Sequence, residues 1–160
     1  MPNLVQEIKK IFRDSPVSAG LLLLNIAMFI LTIATGGFSV VNLVRLGALV
    51  PKYVIDDGEF LRILTSMFLH GSIIHFVMNM VALYILGILM ERLLGPLNYF
   101  ILYLVSGLAG GAVITFFAGK GEGILAEVFG SPTNVTVGAS GALYGIMASL
   151  FFITFKKRAW

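Results

Sequence analysis

Serine is the one side chain here placed to act as a nucleophile. Gly138-Ala139-Ser140-Gly141 sets it between very small residues at the start of an apolar run ending at Phe155. In a first helical turn it has unpaired backbone N–H groups and the positive end of the dipole around it. Such donors can hold an oxyanion during acyl transfer, and the flanking glycines let another backbone approach closely. Tyr144 is i+4 from Ser140, and Gly141 and Gly145 form a small-xxx-small pair, as do Gly107 and Gly111. Taken alone, these patterns equally describe close helix packing.

A serine needs a base. From residue types alone the candidate is His75, with Asn79 orienting it; the two are i and i+4 on one helical face. The competing reading is a hydrogen-bonded packing pair between helices. His70, in Leu69-His70-Gly71, lies just before that helix, where it could bond loop backbone or help close a site. A Ser-Lys dyad with Lys156 fails on distance, because 16 residues of helix span about 24 Å. Nothing around Lys120 supports it as a base. Glu91-Arg92 and Arg62 read as anchors tying segments together.

The elements that position these residues follow from composition. Of 160 residues, 58% are hydrophobic and only 12% are charged, against about 25% charged in soluble domains. The expectation is one all-α domain over 1–160, a polytopic helical membrane bundle. Four segments have roughly the length and apolarity of a span: about 17–35, 73–94, 97–117 and 137–155. Pro16 and Pro96 precede helix starts, and Gly36-Gly37 and Gly95 follow helix ends. Residues 38–72 form a long first loop whose apolar pieces are too short to span, so it lies on or dips into the bilayer. Residues 118–136 read as a flexible, glycine-rich connection. Residues 1–16 read as a cytoplasmic amphipathic segment, with Leu4, Ile8, Ile11 and Phe12 on one face.

With the N-terminus inside, seven Lys and Arg fall on inner segments and four on outer ones. The positive-inside bias then places both termini in the cytoplasm. Ser140, His75 and Asn79 come to similar depth in the outer leaflet. With no cysteine, thiolate metal sites and disulfides are excluded, and no metal-ligand cluster or phosphate loop is present. The net charge of +3, clustered at span ends, speaks for topology and against nucleic acid. Asn134-Val135-Thr136 fits a glycosylation acceptor but carries little weight alone.

Three stretches together resemble the rhomboid intramembrane serine proteases: Arg62 through Asn79, Glu91-Arg92-Leu93-Leu94-Gly95, and Gly138-Ala139-Ser140-Gly141. They occur in family order on matching spans and cover about residues 1–155. The resemblance implies that Ser140 is the nucleophile. It implies that His75 and Asn79, with the N–H of Ser140, line the oxyanion hole, so that His75 is not the base. Tyr144 matches the aromatic residue on which the family's catalytic histidine stacks, and His70 the upstream histidine near the first-loop junction. Gly138 and Gly141 line the site. The first loop becomes a membrane-embedded lateral loop. The reaction becomes hydrolysis of peptide bonds in or near transmembrane helices of protein substrates, without a cofactor, in the plasma membrane of a prokaryote.

The family's base, a histidine on a sixth span, has no counterpart here, and Leu61-Arg62 stands where the family usually has Trp-Arg. The leading expectation is therefore a truncated rhomboid protease, inactive alone, whose missing C-terminal spans belong to a full-length protein. The alternative is a non-catalytic rhomboid-like protein that binds membrane-protein clients. A reduced four-span enzyme using His75 as base would need hydrogen-bond contact between His75 and Ser140. A channel or transporter is disfavoured, since the spans carry no carboxylate away from their ends and no inverted repeat.

Overall fold

A computed structural model describes Gln6 and residues 13–119 and 124–158. Of the amphipathic segment proposed for residues 1–16, Leu4, Ile8, Ile11 and Phe12 lie outside the described residues. Helix α1 runs Pro16–Thr35. The first loop holds three short helices, α2 (Val40–Arg45), α3 (Pro51–Asp56) and α4 (Leu61–Thr65), then a single tight turn at Ser66–Phe68. Helix α5 runs Ile73–Leu94 and widens to one π-type turn at Leu83–Gly87. Helix α6 spans Pro96–Gly119, α7 Ile124–Phe129 and α8 Ser140–Arg158. Among the described residues there is no sheet, so the protein is an all-α membrane bundle.

Local chemistry sets the boundaries. Pro16 and Pro51 occupy first-turn positions, where a missing N–H costs nothing. The hydroxyls of Ser39 and Ser72 accept from the N–H of Asn42 and His75, capping α2 and α5. At Gly95, φ is +79°, and Pro96 starts the next helix at once.

Three helices, α1, α5 and α6, are long and apolar enough to cross a membrane. They match the first three predicted spans. The fourth differs. It begins at Ser140 rather than 137, and its apolar part, Ser140–Phe155, is shorter. That length covers about 24 Å, less than the roughly 30 Å of a bilayer core. Residues 137–139 are extended and turning because φ at Gly138 is +124°, which a helix cannot contain.

α8 is the centre of the packing. Ala139, Ala142, Leu143 and Ile146 join Leu21, Met67, Leu83, Met90, Tyr99 and Tyr103 in the main core. A Cβ placed on Gly110 would stand 3.4 Å from the Cα of Gly141, and one on Gly145 only 2.0 Å from Ser106 Oγ. The small residues of α8 thus permit close approach to α6, as their spacing predicted. Gly107 also meets Gly141, while Gly107 and Gly111 face Met67 and Ile63 of the first loop. The described part of the 118–136 connection makes specific contacts with its neighbours. Phe117 stacks on Phe129 of α7 at 4.8 Å. Thr136 makes an antiparallel bridge with Leu49, and Lys52 N–H donates to the Pro132 carbonyl.

Candidate active site

The backbone ahead of Ser140 is strapped to the first loop. Gly138 N–H donates to the Ser66 carbonyl at 2.9 Å, two residues beyond the Thr136–Leu49 bridge. This stretch then turns into α8 with Ser140 as its first residue. The first intrahelical bond runs from Leu143 N–H to the Ala139 carbonyl at 3.0 Å. The N–H groups of Ser140, Gly141 and Ala142 therefore have no partner within the helix.

Gly138 brings this turn against α5. A Cβ there would lie 2.7 Å from His75 Nε2, 2.8 Å from its Cε1 and 3.7 Å from Asn79 Nδ2. The position requires glycine twice, for its φ and for this approach. Ser140, His75, Asn79 and Tyr144 line one cavity of about 380 Å3, with Met78, Ala82, Leu86, Leu143 and Met147. On its other side Ser140 faces a second cavity of about 260 Å3 between the first loop and the glycine face of α6. Gly138, Gly141 and Tyr144 line this one, with Ser66, Met67 and Gly110. Three polar residues from two distant stretches of the sequence do converge, at the start of two neighbouring helices.

The roles within the trio are resolved in part. Asn79 Nδ2 donates to the His75 backbone carbonyl at 3.0 Å. It does not orient the imidazole, as the residue types alone suggested. Among the described residues Ser140 Oγ forms no hydrogen bond with His75, so the contact required of a His75 base is not made. Tyr144 is 68% exposed, and among the described residues no ring stacks on it. His70 lines neither cavity; it is fully buried behind His75. No three His, Asp or Glu side chains converge to hold a metal ion among the described residues.

Several supports were not readable from motifs. Glu91 is buried, and its two carboxylate oxygens accept from Val17 N–H (2.9 Å) and Ser18 N–H (2.7 Å), capping α1 from α5. Arg92 points away and is exposed, so the adjacent charges do separate work. Arg62 ties the loop together as expected, through the Val44 and Ala48 carbonyls (2.8 and 3.1 Å) and an ion pair with Glu59. Asn42 bonds the Thr32 and Gly37 carbonyls and fixes the exit from α1. Only Glu91 and Arg62 carried a sequence signal, as charges in an otherwise apolar chain.

A helical membrane bundle that sets a serine, a histidine and an asparagine around one cavity defines a narrow class of protein. The rhomboid domain profile matches residues 57–160, which take in every one of these residues. The chain belongs to the rhomboid family. It is 38% identical over 109 residues to RHOMBOID-like protein 6, mitochondrial, of Arabidopsis thaliana, covering 68% of this chain and 31% of that one. It is 32% identical over 130 residues to Rhomboid protease GluP of Bacillus subtilis (strain 168), covering 81% and 23%. It is 36% identical over 81 residues to Inactive RHOMBOID-like protein 8 of Arabidopsis thaliana, covering 51% and 23%. The chain thus spans about a third or less of the length of these relatives. No solved structure matches it.

Proposed function

We propose that this chain carries the nucleophile and oxyanion site of a rhomboid-type serine endopeptidase that cleaves peptide bonds in or near transmembrane helices. The observation that carries the reading is the shared cavity of Ser140, His75 and Asn79, with Gly138 drawn against the imidazole. Ser140 Oγ attacks the scissile carbonyl. The N–H of Ser140 and the side chains of His75 and Asn79 meet the oxygen as it takes on charge. The proton of Ser140 passes to a base in a segment of the longer protein outside these 160 residues, on the open face beside Tyr144. We place the N-terminus and the Ser140–Phe155 exit in the cytoplasm, by the Lys and Arg distribution. The relatives, a plant's and a bacterium's, leave the source membrane open.

Fluorophosphonate labelling tests this. Ser140 of the chain alone should not label, and Ser140 of the longer protein should, with loss on Ser140→Ala. An unlabelled Ser140 in the longer protein would sink the proposal. A relative named inactive keeps a second reading in play, a non-catalytic protein that binds membrane helices. Crosslinking to a client helix that survives Ser140→Ala, with no cleavage by the longer protein, would support that reading instead.

A further inference from the structure

His70 lies three residues before α5, and its side chain is fully buried. Its ring centroid is 5.2 Å from that of His75, at an interplanar angle of 68°. It is also 5.2 Å from the Phe76 ring, edge-on at 87°. Phe76 stacks on Phe29 of α1 at 3.9 Å, so a wedge of aromatic rings holds His70 in place from the side of span one. Neither ring nitrogen of His70 meets a partner in hydrogen-bond geometry among the described residues. The Phe68 carbonyl is near enough to favour the protonated ring, but it does not meet that geometry. Buried polar atoms are rarely left so, and each such exception calls for an explanation.

His75 supplies one. Its Nε2 and Cε1 face Gly138, which directs Nε2 into the site. A neutral imidazole carries one donor and one acceptor. To donate to an oxyanion, Nε2 must bear the hydrogen, which leaves Nδ1 as an acceptor in need of a donor. The partner of one ring nitrogen usually sets the state of the other. No direct bond joins the two rings as they stand, and the His70 nitrogens have no exposed surface for a water, but at a 5.2 Å centroid separation a turn of either ring brings an N–H···N contact within reach.

We propose that His70 is a positioning residue whose N–H, after a small turn of the two rings, donates to Nδ1 of His75. It thereby holds His75 in the tautomer whose Nε2–H faces Gly138 and Ser140. The catalytic consequence rests on the oxyanion role proposed above, whereas the tautomer does not.

The chain has only two histidines, so the test is direct. Two-bond 1H–15N spectra of 15N-histidine-labelled full chain in lipid nanodiscs at pH 7.5 report each ring's tautomer, and His70→Phe assigns the pair. His75 should be held in the Nε2–H form in the wild type. It should relax to a mixture of tautomers in His70→Phe and be restored in His70→Gln, which keeps a donor. His75 in the Nδ1–H form, or with the same shifts in His70→Phe as in the wild type, would overturn the proposal. The wild-type spectrum alone decides the tautomer should the variant fail to fold. In the longer protein His70→Phe should lower kcat with little change in KM. Loss of activity with an unchanged His75 spectrum would count against His70 and not against the site.

Discussion

Gly138→Ala probes the site through two separable effects. The first is conformational. An alanine at φ +124° sits in a region L residues seldom adopt, which costs about 1–3 kcal/mol. The second is steric. The new methyl would meet His75 Nε2 at 2.7 Å and Cε1 at 2.8 Å, closer than real Cβ contacts, so the ring must leave its position. Overpacking of this kind costs about 1–3 kcal/mol. The sum is about 2–6 kcal/mol, a large part of a typical folding stability. His75→Ala removes the ring and with it only the second effect. The double variant should therefore be less destabilised than the two single variants added together, by about 1–3 kcal/mol. SDS titration of the chain in mixed micelles, read by far-UV circular dichroism, measures all four corners of the cycle. Strict additivity would show that Gly138 and His75 do not touch. A silent Gly138→Ala would show that neither the backbone conformation nor the contact is as described, and the oxyanion geometry would fall with them.

The same assay checks three further expectations. Glu91→Ala leaves the N–H groups of Val17 and Ser18 without acceptors at about 1–3 kcal/mol each, while Glu91→Gln keeps one oxygen. The order of stability should be wild type, then Gln, then Ala; equal losses would refute the capping role. Gly87→Ala would place a methyl 2.5 Å from the Tyr99 hydroxyl, so it should destabilise by about 1–3 kcal/mol and be partly rescued by Tyr99→Phe. No rescue would mean another neighbour sets the limit. Burial, then the nearby His75, lowers the His70 pKa from 6.5 to about 4. The unfolded chain then binds a proton that the folded chain refuses between those values. Stability should be level above pH 6.5 and fall as pH drops toward 4, and His70→Phe should flatten that fall, as urea or SDS midpoints at stepped pH would show.

Legibility divides along a physical line. Span positions depend on runs of about 20 apolar residues, a property of composition, and α1, α5 and α6 were readable to within a residue or two. Polar side chains inside such runs are expensive, so Ser140, His75 and Asn79 stood out and their convergence followed from topology. The start of α8 was misplaced because Val137, Gly138 and Ala139 look as apolar as the helix after them. Backbone conformation, not hydropathy, excludes them. The strap from Ser66 and Leu49 to residues 136–138 was invisible for a related reason. It is made of backbone groups, and every sequence supplies those. Glu91 was visible as a charge but not as a cap, since its partners lie 73 and 74 residues away. The orienting role that residue types alone suggested for Asn79 is not seen, because spacing reports a shared face and not which atom the amide reaches.

On the proposed function, the geometry separates two contributions that serine proteases usually combine. Oxyanion donors act by being fixed beforehand, and removing one costs about 2.7–4 kcal/mol of transition-state stabilisation. Each of the proposed donors here is fixed within this chain. The Ser140 N–H is set by the first turn of α8, and His75 by contact with Gly138. Asn79 is held by its bond to the His75 carbonyl. Proton transfer is worth a further factor of about 10²–10⁴ and needs a base within hydrogen-bond reach of Ser140. His75 does not make that bond, and Tyr144, one turn further along α8, leaves its face open. A base arriving on that face would meet the proposed oxyanion donors already in place and need only reach one hydroxyl. On this account a base-bearing segment should raise fluorophosphonate labelling of Ser140 while leaving the His75 tautomer as it is in the chain alone. A His75 spectrum that changes when such a segment docks would mean that the two halves are built together.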